Sequence, residues 1–137
     1  MRILTALVMT AAAGLTLAAC TTANQTEARP LDYFLGRTLD VAWGDLSTEG
    51  DIEVREIDMT ARFGGEPSFG DDGRGQEAYG EWTVLALCAD ATTVADAHAV
   101  EFGIIPTTLA TTEVVRDAEA GRYDHDITCL GLTHRPA

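Results

Sequence analysis

The chain has 137 residues, 22 of them acidic against nine basic, and a formal net charge of −13. Such a surface repels nucleic acid and anionic lipid headgroups and favours cations or basic partners, which sets DNA and RNA binding aside. Every basic residue is an arginine, which we read as a coding-sequence bias and not as chemistry.

Arg2 precedes an apolar stretch, Ile3 to Leu17, interrupted only by small residues and threonines, the pattern of an export signal. An ordinary cleaved signal with an incidental cysteine after it, or an uncleaved anchor, is the alternative, since about 17 apolar residues can just span a bilayer. The stretch ends in Leu17-Ala18-Ala19-Cys20, which resembles the lipobox of bacterial lipoprotein precursors. The resemblance covers only this leader. It implies that residues 1–19 are a lipoprotein signal peptide, that Cys20 is lipidated, and that the mature chain is held by its lipid on the extracytoplasmic face of a plasma or outer membrane. One acyl chain binds a bilayer marginally, whereas the diacylglyceryl group implied here makes a lasting tether. Cleavage leaves 118 residues, Cys20 to Ala137, and the loss of Arg2 takes the net charge from −13 to −14.

Thr21 to Pro30 is polar and ends in proline, so residues 20–30 read as the lipidated cysteine and a flexible spacer. A single extracytoplasmic globular domain is expected over 31–137, opening on the apolar cluster Leu31, Tyr33, Phe34 and Leu35. Alternation of Leu39, Val41 and Trp43 predicts a half-buried strand over Thr38–Trp43, followed by turn chemistry from Gly44 to Gly50. From Asp51 to Phe63 the apolar phase changes near Glu56, which suggests a bulged strand paired antiparallel with the first. Gly64 to Gln76, with five glycines, reads as a long loop.

Tyr79 to Cys88 is the clearest strand, apolar on both faces and therefore central in its sheet. Thr93 to Ala99 suggests a short helix, and Val100 to Ile105 a strand ended by Pro106. Thr112 to Ala120 reads as helix, with a threonine start and Gly121 as its stop, although Val114 and Val115 would also suit a strand. Arg122 to Leu130 alternates like the Tyr79–Cys88 segment and predicts a strand beside it. The fold expected is α+β, a small, mainly antiparallel sheet with one or two short helices, stapled by one disulfide.

That disulfide joins Cys88 and Cys129, the cysteines left after Cys20, because exported proteins meet an oxidising compartment. Closing this loop would stabilise the fold by about 4 kcal/mol on the chain-entropy model. The competing reading is a pair of thiols for metal or redox work, but neither cysteine lies in a Cys-x-x-Cys arrangement.

Few other residues suggest chemistry. The loop acids Asp71 and Asp72, with Glu66 and Glu77, are calcium-ligand types without EF-hand spacing. Asp124-His125-Asp126 is raw material for acid–base work or metal ligation, but on a strand the imidazole would face away from both carboxylates. His98 and His134 complete a scattered histidine set, and Ser47 and Ser68 lie in expected turns without a nucleophile elbow. Tyr33, Phe34, Trp43, Phe69, Tyr79, Trp82 and Tyr123 supply either core or pocket lining. Phe69, an aromatic on a polar loop, is the one expected to touch something outside the domain. No catalytic residue, cofactor or metal is expected. The function read from the sequence is a lipid-anchored interaction domain that binds a protein or cell-wall partner, with Phe69, Asp71 and Asp72 as its contact loop. A small-ligand or cation-binding lipoprotein is the alternative, and a cell-envelope hydrolase ranks last.

Overall fold

A computed structural model describes residues 29–48 and 50–134, so the expected export signal, Cys20 and the spacer up to residue 28 lie outside the described residues. Strands β1 (Glu53–Asp58), β2 (Trp82–Ala89), β3 (Ala99–Pro106) and β4 (Thr133–His134) form one sheet in the order β1-β3-β2-β4. β1 runs parallel to β3, while β3–β2 and β2–β4 are antiparallel. Helix α1 (Leu39–Ser47) packs with the core on one face of the sheet, and α2 (Thr112–Glu119) with the core on the other. The α+β class, the small sheet and the Cys88–Cys129 disulfide are as the sequence predicts. Among the described residues no helix is long and apolar enough to cross a membrane.

β2 is buried along its whole length. Trp82, Val84, Leu87 and Ala89 face the α1 side, and Leu85, Ala86 and Cys88 the α2 side. A register shift between Val84 and Ala86 lets the neighbours Leu85 and Ala86 join the same core, as a bulge does by adding one residue to a ladder. β3 divides likewise, with Val100, Phe102 and Ile104 toward α1 and Ile105 toward α2.

Four expectations need correction. Thr38–Trp43 is not a strand. Leu39, Ala42, Trp43 and Leu46 stand at helical spacing and pack into the core, whereas Val41, which the alternation placed inside, is 40% exposed. The small residue Ala42 hid the helical stripe.

The bulged strand over Asp51–Phe63, and its antiparallel partner, are also absent. β1 keeps an unbroken register with β3 from Glu53 to Asp58, after which Thr60–Phe63 turns into a 3₁₀ helix. Ile52 and Val54 point toward α1 and Ile57 toward α2, so the phase change records a sheet covered on both sides. Arg122–Leu130 forms no strand. Gly121, at φ +78°, ends α2, and Asp124–Asp126 is a 3₁₀ turn, in line with the low strand preference of aspartate. Cys129 therefore reaches Cys88 from a loop, and β4 takes the pairing expected of that segment. Thr93–Ala99 is not a helix either: the Thr93 hydroxyl donates to Asp96 at 2.7 Å, and Asp90 accepts from the amides of His98 and Ala99 at 3.0 and 3.2 Å. Such local side-chain bonds compete with helix formation.

The Thr112–Glu119 helix does form, its Thr111 cap accepting from the Val114 amide. The expected spacer, in turn, ends earlier than its composition suggests. Arg29 pairs with Asp45 on α1, its carbonyl accepts from Val94, and Pro30 bridges to Thr93.

Two small features hold this arrangement. A Cβ at Gly103 would lie 2.3 Å from Met59 Sδ, 2.9 Å from Ile127 Cγ2 and 3.1 Å from Ala86 Cβ, so the α2-side core closes over a position without a side chain. Asp58 accepts from the Thr60 amide at 2.8 Å with one oxygen, and from the Ser68 and Phe69 amides at 2.8 and 2.9 Å with the other. Burial works against its charge, but the hydrogen bonds from Thr60, Phe69 and Ser68 outweigh it and hold the carboxyl below the usual range.

Gly103→Ala should lower stability by about 1–3 kcal/mol through overpacking, read as a fall in the denaturant midpoint with an unchanged m-value. Asp58 should make the glycine-rich loop sensitive to acid. Its folded pKa is depressed, so its contribution is complete above about pH 4 and is lost as pH falls through the folded value. Proteolysis of the loop should rise over that acid range in the native chain, and Asp58→Ala should show the raised susceptibility already at neutral pH.

Candidate functional site

A concavity lies between α1 and the 3₁₀ turn Gly75–Glu81. Asp40, Trp43, Gly44 and Ser47 stand at i, i+3, i+4 and i+7, one face of a helix, and form one wall. Gln76 and Tyr79, three apart and eclipsed in 3₁₀ geometry, form the other. The cavity volume is about 270 Å³.

Glu56 holds one aromatic wall and faces the other. It sits on β1, pointing to the α1 side, and accepts from Trp43 Nε1 at 2.7 Å. The same carboxylate faces the Tyr79 hydroxyl, whose pKa is raised by burial first and by the negative charge of Glu56 second. The Trp43 and Tyr79 rings stand 5.8 Å apart, tilted by 33°. Tyr79 stacks on Phe69 at 5.9 Å, and Phe69 meets Trp82 edge-on at 5.0 Å. A continuous aromatic row thus runs from α1 to the central strand, with its first two rings at the cleft.

The lining carries a carboxylate, two hydroxyls and an amide, and no arginine. Anions are disfavoured there, while cations and neutral polar groups with an apolar face suit it. Gly44 gives the cleft room. It occupies a mid-helix position where glycine costs about 0.5–1 kcal/mol relative to alanine, and a Cβ there would meet nothing within 4 Å.

The loop predicted for contact is arranged differently. Phe69 is half-buried against Tyr79 and Trp82 and supports the cleft from behind. Asp72 accepts from Arg74 Nε at 2.6 Å, and Arg74 makes a two-pronged pair with Glu81 at 2.6 and 2.7 Å. The Arg74 backbone and side chain hold the Asp72 carboxyl below the usual range. Asp71 remains exposed, and the acids Glu66, Asp71, Asp72 and Glu77 do not converge on one point.

Among the described residues, one set brings three metal-ligand atoms together: Cys88, Cys129 and His134, all within 4.8 Å of one another. His134 Nδ1 lies 3.1 Å from Cys129 Sγ and 3.9 Å from Cys88 Sγ. The His125 ring stands edge-on to His134 with centroids 4.9 Å apart. The neighbouring aspartates go elsewhere: Asp126 pairs with Arg62 at 3.2 Å, and one buried oxygen of Asp124 has no hydrogen-bond partner. His98 faces Asp90 at 3.5 Å, and the buried Glu101 is paired with Arg55 at 3.0 Å and accepts from the Leu130 amide. Ser47 lines the cleft, and the Ser68 amide is used by Asp58. Neither serine has a histidine among its hydrogen-bond partners.

Trp43 and Tyr79 were among the aromatics the sequence offers as pocket lining. Asp40, Gly44, Glu56 and Gln76 were missed, and helical spacing over residues 40–47 was the signal that could have found the first two. No family model, curated protein or solved structure matches the chain.

Gly44→Ala should raise the melting temperature, in line with a helix gain of about 0.5–1 kcal/mol. Gly44→Leu should fill the cleft and quench or shift the fluorescence of Trp43 while leaving the far-ultraviolet circular dichroism unchanged.

Proposed function

We propose that this chain is a lipid-tethered, non-enzymatic interaction domain of the bacterial cell envelope that takes a protein or cell-wall partner at the Trp43–Tyr79 cleft. The observation that carries the reading is the pair of neighbouring aromatic walls, one of them held by the Glu56 carboxylate, around an acidic, base-free opening. Binding sites are commonly built this way, with apolar area for affinity and a few polar groups for orientation. Holding the rings in place before binding reduces the entropy that the partner must overcome.

The anchor rests on the lipobox resemblance at Cys20. The Cys88–Cys129 disulfide supports an oxidising compartment, consistent with the extracytoplasmic side. The strong negative charge favours a partner that presents amine or guanidinium groups, with a neutral glycan face as the other chemistry the cleft would accept. The Gly64–Gln76 loop has a supporting part in this proposal, since Phe69 backs Tyr79 and Asp58 ties the loop down.

Crosslinking in intact cells followed by mass spectrometry tests the proposal. The native chain should yield a dominant envelope partner; the combined Trp43→Ala and Tyr79→Ala change should reduce it at least about tenfold, as loss of two aromatic anchors does. Cys20→Ser should release the protein from the membrane fraction. An undiminished partner yield from the doubly substituted chain, with its circular dichroism intact, would remove the cleft from the account.

A further inference from the structure

We infer that Cys88, Cys129 and His134, with His125 as fourth ligand, form a redox-gated site for a thiophilic divalent ion such as Zn²⁺, closed in the disulfide form and opened by reduction. The sequence places three of these residues in a compact run, His125-x₃-Cys129-x₄-His134, and the fold brings the fourth across the sheet. His134 lies directly opposite Cys88 in the β2–β4 register. The segment between Cys129 and His134 is held by two further contacts: Gly131, at φ +81°, donates to the Cys129 carbonyl, and the Leu130 amide donates to the buried Glu101. The backbone of His134 is thus placed by strand pairing, with its Nδ1 lying against both sulfurs.

Two thiolates and two neutral imidazoles are the donor set of a tetrahedral zinc site, and their combined charge neutralises the ion. In such a site, Zn–S bonds of about 2.3 Å place the sulfurs some 3.8 Å apart, so the S–S bond must break before the ion can enter. The three ligand atoms already lie within 4.8 Å. His125, exposed and packed edge-on to His134 with ring centroids 4.9 Å apart, is the neighbouring imidazole that would swing toward the sulfurs to supply a second nitrogen. Cys88 is fully buried, which shields one ligand from water, while Cys129 and His134 are partly open and give the route in.

The chemistry balances with a dithiol as reductant. Its two thiols pass two electrons and two protons to the Cys88–Cys129 bond and leave as a cyclic disulfide. Two free thiols result, and Zn²⁺ then displaces their two protons as it binds. A disulfide oxidant reverses the exchange: it takes the two electrons of the Cys88 and Cys129 thiolates and two protons, leaves as thiols, and the re-formed S–S bond releases Zn²⁺, so metal occupancy follows the thiol–disulfide balance.

The test uses the full chain with Cys20→Ser, so that only Cys88 and Cys129 supply thiols, reduced with a phosphine and titrated with Co²⁺ and then Zn²⁺. One Co²⁺ per chain should bind with thiolate-to-cobalt charge-transfer absorption and the visible bands of a tetrahedral ion, and Zn²⁺ should displace it. The oxidised protein should show neither. His134→Ala, whose folding is checked in the disulfide form, should weaken Co²⁺ binding at least about tenfold, and His125→Ala should weaken it while shifting the visible bands. Reduction deprives the fold of its staple, so the melting temperature is measured alongside. Zn²⁺ should raise the melting temperature of the reduced chain, because it binds the folded state. Absence of the charge-transfer band, a His134→Ala chain that binds like the parent, or a reduced chain that Zn²⁺ neither stabilises nor refolds would overturn the proposal.

Discussion

β2 presents apolar side chains to both faces of a four-stranded sheet, and the rest of the molecule answers that constraint. Each face needs a cover, so the chain places α1 and the Leu31–Phe34 turn on one side and α2 with the Ile127–Cys129 segment on the other. The covering elements are short. Helices of nine and eight residues have little stability alone and depend on the face they bury. The disulfide acts at the weakest point of this plan, where a loop, and not a strand, covers the end of β2.

The central strand and its neighbour β3 were legible because continuous apolar runs bounded by turn residues admit few other readings, and α2 because threonine and glycine mark its ends. The disulfide was legible from the cysteine count and the export expected of the chain. Failures came where two periodicities fit the same letters. Leu39-x-Val41-x-Trp43 satisfies a strand, while Leu39, Ala42, Trp43 and Leu46 satisfy a helix, and only burial shows that Ala42 is inside and Val41 outside. At Arg122–Leu130 alternation was present but the chain was already committed to a turn by Gly121 and two aspartates.

The cleft was illegible for a related reason. Its residues come from α1, β1 and the Gly75–Glu81 turn, which approach one another only once residues 39–47 are helical. Read as a strand, that segment puts Asp40 and Trp43 on opposite faces. Phe69 shows the opposite limit of composition: an aromatic in a glycine-rich, acidic loop looks available to a partner, yet two hydrogen bonds from the loop to Asp58 fold it back and lay the ring on Tyr79 and Trp82. The loop adds Phe69 to the aromatic row, and the acids beside it are taken up in part by Arg74.

The most direct test of partner binding at the cleft is a photoreactive amino acid placed at Gln76, on the cleft rim, and separately at Glu113, on the exposed side of α2, each in the full chain in living cells. A partner captured from Gln76 and not from Glu113 is the result the account predicts. Capture from Glu113 with none from Gln76, in two chains of equal abundance and membrane association, would contradict it.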